Sequence, residues 1–147
     1  MSVAKLQDDH HVLRSVSSSR IHWNEERTVV LGIFPHALHR RQGEAYLSVT
    51  WVEYFPGNQE HQIKSAATVT KDPGKNGGFA LAQVGTIHEV CREQRRSVRI
   101  LHEKDPDNPN NPAHAAVRQY PENDDPLIDL LCEKAFSNLI MKRELMG

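Results

Sequence analysis

The sequence has no long apolar run, little cysteine and almost no net charge, and each shortage narrows what it can be. No stretch approaches the ~18 apolar residues that a membrane-spanning helix needs, so no membrane partner is expected. The polar opening Met1–Asp9 lacks the apolar centre of a secretion signal, and a cytoplasmic location is the expectation. The 2 cysteines, Cys91 and Cys132, share no Cys-x-x-Cys spacing, which argues against a disulfide scaffold or a thiolate zinc site and for two buried thiols. Lys and Arg total 18 against 19 Asp and Glu, so nothing pulls the whole chain toward nucleic acid. Also missing are a glycine-rich phosphate loop, a His-Glu-x-x-His helix and a nucleophile elbow. No cofactor is expected.

What is present is the composition of one ordinary globular domain of 147 residues, 38% hydrophobic and 25% charged. Residues 1–9 read as a frayed polar arm. Val12–Val16 reads as a short strand closed by Ser17, Ser18 and Ser19. Thr28–Phe34, β-branched and nearly continuous in apolar character, predicts a strand buried on both faces. Pro35 opens a helical turn over His36–Arg40, and Ala45–Val49 predicts another strand. Thr50 and Glu53 have the spacing of a capping box for a helical segment over 51–55. A helix is expected over Gln59–Ala67, then extended chain over Thr68–Thr70.

Asp72–Gly78 carries the densest turn signal. After it come a strand over Phe79–Val84, a helix through Ile87, Val90 and Cys91, and paired strands over Ser97–Leu101 and Ala113–Val117. The Pro- and Asn-rich stretch Asp105–Pro112 between those strands must be a loop. Last, Asp125 and Pro126 start a helix whose apolar residues from Ile128 to Ile140 recur at i, i+3 and i+4, extending it to Glu144. The fold class that follows is α+β: a small mixed β-sheet with short helices and a C-terminal amphipathic helix packed on it.

Nine histidines raise the question of metal. His36 and His39 are the candidate ligands, with His22, Glu44 or the His10–His11 pair as a third. No complete ligand set appears, so hydrogen-bonded histidine is the expectation and bound metal is not. His102 and His114 flank the Asp105–Pro112 loop beside Glu103, Asp105 and Asp107. We take His102, Asp105, Asp107 and His114 as the candidate binding residues, since imidazoles and carboxylates on a loop base suit acid–base or recognition work. Arg92, Arg95, Arg96 and Arg99 form a basic cluster, but acidic neighbours and the lack of interleaved aromatics argue against nucleic acid. Trp51, Tyr54 and Phe55, near Trp23 and Phe34, suit an aromatic core.

The segments Glu44–Phe55 and Asn111–Val117 resemble parts of small uncharacterised bacterial proteins. More distantly, His11–Arg14 and Tyr46–Ser48 resemble the opening strands of ADP-ribosyltransferase-like domains. That resemblance implies a nucleotide-like substrate with Arg14, Ser48 and Glu103 as catalytic residues. Small size, balanced charge and the absence of a complete site favour a different first reading. It is a non-enzymatic interaction or accessory module of a bacterial multi-protein system, with a protein partner and with self-association left open. The nucleotide-directed enzyme is the alternative, and a histidine-based metal-binding protein the second alternative.

Overall fold

A computed structural model describes residues 4–146. Its centre is a six-stranded sheet in which every pairing is antiparallel. The strands in chain order are β1 (His11–Val16), β4 (Leu47–Trp51), β5 (Gly78–Gln83), β6 (Arg99–His102), β7 (His114–Arg118) and β8 (Asn138–Met141), arranged β6-β7-β4-β1-β5-β8. The two numbers skipped belong to a separate hairpin of β2 (Ile21–Trp23) and β3 (Val30–Ile33). Among the described residues four α-helices complete the α+β fold: α1 (Gln59–Val69), α2 (Val84–Glu93), α3 (Leu127–Lys134) and the single turn α4 (Lys142–Leu145).

Strand alternation divides the core in two. Val12, Val16, Leu47, Val49, Ala80, Ala115, Val117 and Ile100 face one side, where they meet Ile87, Val90 and Cys91 of α2 and Ile128 and Leu131 of α3. Leu13, Phe79 and Leu81 face the other and pack with Val52 and with Ala66 and Ala67 of α1. Both cysteines are buried in the first layer, and burial pushes their thiols up to about 11 at Cys91 and about 12 at Cys132. Among the described residues no helix is long and apolar enough to cross a membrane.

Five expectations from the sequence are corrected. The arm is tied to the sheet from Ala4 onward instead of frayed: Leu6 is buried, its N–H donates to the Ile100 carbonyl, and the His102 N–H donates to the Ala4 carbonyl. Residues 1–3 of that arm lie outside the described residues. The stretch Thr28–Phe34 is no central strand. Only Val30–Ile33 pairs, in the small hairpin, and Val29 and Leu31 are more than half exposed. Thr50 stays in β4 instead of capping a helix, and residues 52–54 form a 3-10 turn. Glu53 accepts from the N–H and ring of His11, not from a helix terminus. Thr68 and Val69 continue α1.

The last correction concerns the terminal helix. Its start is as read: the Asp125 carboxylate accepts from the Leu127 N–H. It ends at Lys134, however, and residues 138–141 become the edge strand β8 on β5. Leu139 and Ile140 fit a helical period, but paired to Ala80 and Phe79 they fit a strand equally well.

Candidate functional site

Strands β1 and β4 are in register only at Val12–Trp51 and Leu13–Thr50. Beyond Leu13 the two part, and the gap is bridged by the side chain of Arg14. Its Nη1 donates to the Ser48 carbonyl at 2.7 Å, its Nε to the Ala37 carbonyl at 2.7 Å, and its Nη2 to the His39 carbonyl at 3.1 Å. The planar guanidinium suits this role because its donors diverge in one plane toward separate acceptors. The acceptors at Ala37 and His39 come from the 3-10 turn Pro35–Leu38 and the residue after it. Tyr120 clamps the same turn by donating its hydroxyl to the Leu38 carbonyl at 2.7 Å.

A cleft of about 390 Å³ opens where the strands part. One wall is Leu13, Arg14, Ser15, Ser17 and Arg20, and another is His36 with His39–Gln42. The floor is Ser48, Val49 and Thr50 of β4. Thr70–Pro73 enters after α1, and Asp105, Asn108 and Asn111 enter from the β6–β7 loop. The Thr70–Pro73 wall is set by a tight turn: the Asp72 carboxylate accepts from the Gly74 N–H, and Gly74 has φ +90°. At Gly77 a Cβ would run into the Pro73 carbonyl and the Val16 carbonyl, so the chain returns to β5 only through glycine.

Five cations line the cleft, Arg14, Arg20, Arg40, Arg41 and Lys71, against two carboxylates, Asp72 and Asp105. Arg40 is paired with Glu122, Arg41 with Glu44 and Asp72 with Lys142. Among the described residues Arg14, Arg20 and Lys71 form no salt bridge. Arg14 is only 8% exposed, and burial pulls its guanidinium down to about 10. His36 and His39 lie ring to ring at 4.8 Å on the cleft wall. Burial first, then His36 and Arg20, hold the His39 imidazole below its ordinary value. No third His, Cys, Asp or Glu joins them in a cluster among the described residues.

The β6–β7 hairpin brings a second set of groups to the cleft. Its register sets His102 opposite Ala115 and Leu101 opposite Ala116. His102 and His114 therefore stand at one end of the sheet but on opposite faces. His102 packs against Trp51 and Tyr54 and reaches the Pro112 carbonyl, away from the cleft. His114 is buried beside β4. Its Nδ1 is 2.8 Å from the Glu103 carbonyl, and its Nε2 is 2.8 Å from the Ser48 Oγ and 3.9 Å from the Asp105 carboxylate. A carbonyl only accepts, so Nδ1 carries a proton, and in the neutral ring Nε2 accepts from the Ser48 hydroxyl.

Of the residues singled out in the sequence, Arg14, His36, His39, Ser48 and Asp105 line the cleft, and His114 lies buried behind Ser48. Asp107 is exposed at the loop tip, its N–H donating to the other Asp105 oxygen at 2.9 Å. The Glu103 carboxylate faces Arg118, which binds it with two N–H groups at 2.8 and 2.6 Å and holds its carboxyl below the ordinary range. Arg20, Lys71 and Asn111 were not legible as site residues. Asn111 is buried, donates to the Thr50 hydroxyl and accepts from the Ala113 N–H, so it fixes the loop base to the cleft floor. Family models, curated proteins and solved structures were compared with the chain, and none matches it.

Proposed function

We propose that the protein binds a small phosphate-bearing molecule of nucleotide-like character in the cleft between β1 and β4. The observation that carries this reading is Arg14: a buried cation on the cleft wall, surrounded by carbonyl dipoles but with no carboxylate against it. An unpaired charge out of water is costly, and an anion bound beside it offsets that cost. Arg20 and Lys71 add positive charge on the same walls, and His36 and His39 add more when protonated. Gln42 and Asn108 offer neutral hydrogen-bonding groups for the rest of such a ligand. The cleft volume is in the range of small-molecule sites, about 300–1,000 Å³.

Thermal unfolding tests the reading, because a ligand that binds only the folded state raises its stability by mass action. Nucleoside mono- and diphosphates should raise the midpoint, and the parent nucleoside should not. Equal midpoints with and without every phosphate-bearing ligand would rule this function out.

A second reading, the accessory interaction module, is favoured by the β2–β3 hairpin. It leaves Val29 54%, Leu31 59% and Phe34 42% exposed, and both of its strands have an unpaired edge in the two-stranded sheet. Its homotypic form is open to sedimentation: self-association that rises with concentration and is abolished by Leu31→Asp supports it, and a monomer at all concentrations counts against it.

A further inference from the structure

We infer that Ser48 is a nucleophile, with His114 as its general base, and that the chain transfers a phosphoryl group from a phosphate ester to the Ser48 Oγ and then to water. The inference rests on the cleft accepting a phosphate-bearing ligand and adds a chemical step to that binding.

Three features of the pair suit this role. First, the tautomer is fixed: Nδ1 donates to the Glu103 carbonyl, which leaves Nε2 free to accept the Ser48 proton at 2.8 Å. Second, the base is held rigidly. His114 is 2% exposed, Tyr46 meets its ring edge-on at 5.9 Å, and the β6–β7 pairing fixes its backbone. Third, the pair is asymmetric with respect to solvent. Ser48 lines the cleft, and its base lies behind it in the protein. The Asp105 carboxylate is 3.9 Å from Nε2 and buried, placed to stabilise the imidazolium once the proton has moved.

The step balances with water as the only co-reactant. The Ser48 Oγ attacks phosphorus, the Oγ–P bond forms and the bond from phosphorus to the ester oxygen breaks. The Oγ proton passes to His114 Nε2, and the departing alkoxide, in line on the far side of phosphorus, takes a proton from water and leaves as an alcohol. The hydroxide left by that water then attacks the phosphoserine phosphorus from the same side. His114 returns its proton to Oγ as the Oγ–P bond breaks. The products are an alcohol and inorganic phosphate. Arg14, Arg20 and Lys71 supply positive charge near the phosphoryl oxygens in both halves.

The test uses the full chain and two probes, an alkyl fluorophosphonate and p-nitrophenyl phosphate. Ser48 should be the modified residue in the fluorophosphonate-treated protein, by peptide mass. Labelling should vanish in Ser48→Ala and fall about 100-fold or more in His114→Gln, the usual scale of general-base assistance. p-Nitrophenol release should follow the same order. Wild-type protein that neither labels at Ser48 nor releases p-nitrophenol overturns the inference, as does a folded His114→Gln variant labelled at the wild-type rate. If His114→Gln does not fold, Asp105→Asn replaces it: slowed labelling supports the pair, and an unchanged rate contradicts it. The binding reading is judged separately. A nucleoside diphosphate that stabilises an unreactive protein leaves binding standing and removes only the nucleophile. Labelling at Ser48 in a protein whose unfolding midpoint no nucleoside phosphate raises removes the binding reading instead.

Discussion

Arg14 Nη1 donates to the Ser48 carbonyl at 2.7 Å, and this bond joins two strands exactly where their ladder stops pairing them. The same guanidinium holds the Ala37 and His39 carbonyls, so one buried side chain both closes the fold and charges the cleft. Arg14→Met keeps much of the volume, removes the desolvated charge and strips a donor from each carbonyl. With about 1–3 kcal/mol lost per orphaned buried acceptor, and some of that regained by removing the charge, a net loss of roughly 2 kcal/mol or more is expected. Arg14→Lys should not recover it, since an ammonium cannot reproduce the planar fork. Urea unfolding of the three proteins measures this. An Arg14→Lys variant as stable as the wild type would show that charge alone matters.

The loop base gives a second prediction. Asn111 serves the Thr50 hydroxyl and the Ala113 N–H while buried. Asn111→Ala should cost about 1–3 kcal/mol, the penalty for leaving a buried polar group unpaired. Shortening only the tip from Pro106 to Asn110 should cost far less, because Pro106, Asp107, Pro109 and Asn110 are exposed and closure entropy changes slowly with length. Thermal midpoints of the two variants test the contrast. A tip deletion as damaging as Asn111→Ala would mean that the tip, too, is packed structure.

The layer between sheet and helices supplies a third. Leu131 on α3 is fully buried against the first core layer. Leu131→Ala should cost about 2–5 kcal/mol, from lost burial and the cavity left behind. An unchanged unfolding midpoint would mean that α3 is not docked on the sheet as described.

Acid titration supplies a fourth. The hydrogen bonds from Arg118 lower the Glu103 pKa in the fold below its ordinary 4.5, so its stabilising contribution is present above that value and is lost as pH falls through the lower folded value. Glu103→Gln should therefore be less stable than the wild type at neutral pH. The difference should be modest, about 1 kcal/mol or less because Arg118 is more than a third exposed, and it should shrink toward zero in acid. A difference that persists at the lowest pH would point to packing instead of charge. The substitution leaves the His114 tether in place, because that bond uses the Glu103 main-chain carbonyl.

Much of the fold was legible because local chemistry and tertiary packing agree there. The strand around Val12–Val16, the hairpin over residues 97–117 and the start of α3 at Asp125 all follow from alternation, turn residues and capping. Legibility failed where one apolar pattern serves two structures. Val29 and Leu31 look like core but sit on an exposed hairpin, and Leu139 and Ile140 continue a helical period yet form an edge strand. The site was half legible. Asp105 and His114 stood out as a carboxylate and an imidazole at the base of a loop, and Arg14 and Ser48 only through the resemblance to ADP-ribosyltransferase-like domains. Nothing in the sequence shows that β1 and β4 part after Leu13, and that parting brings residues as distant as Arg14 and Asn111 to one cleft. Arg20 and Lys71 carry no motif, and only their place on the cleft walls distinguishes them.

The central claim is that the cleft binds phosphate through Arg14, Arg20, Lys71 and the neighbouring histidines, and calorimetric titration with a nucleoside diphosphate tests it most directly. One site should saturate. Arg20→Ala with Lys71→Ala should weaken it about tenfold or more, and added salt should weaken it further. His39, held below its ordinary 6.5 by burial and neighbouring cations, is neutral in the free cleft at neutral pH, and a bound anion favours its charged form. Affinity should therefore rise as pH falls through the imidazole range, with proton uptake visible as a dependence of the heat on the buffer. The absence of saturable heat, or binding equally tight in the double variant and indifferent to pH and salt, would contradict the account.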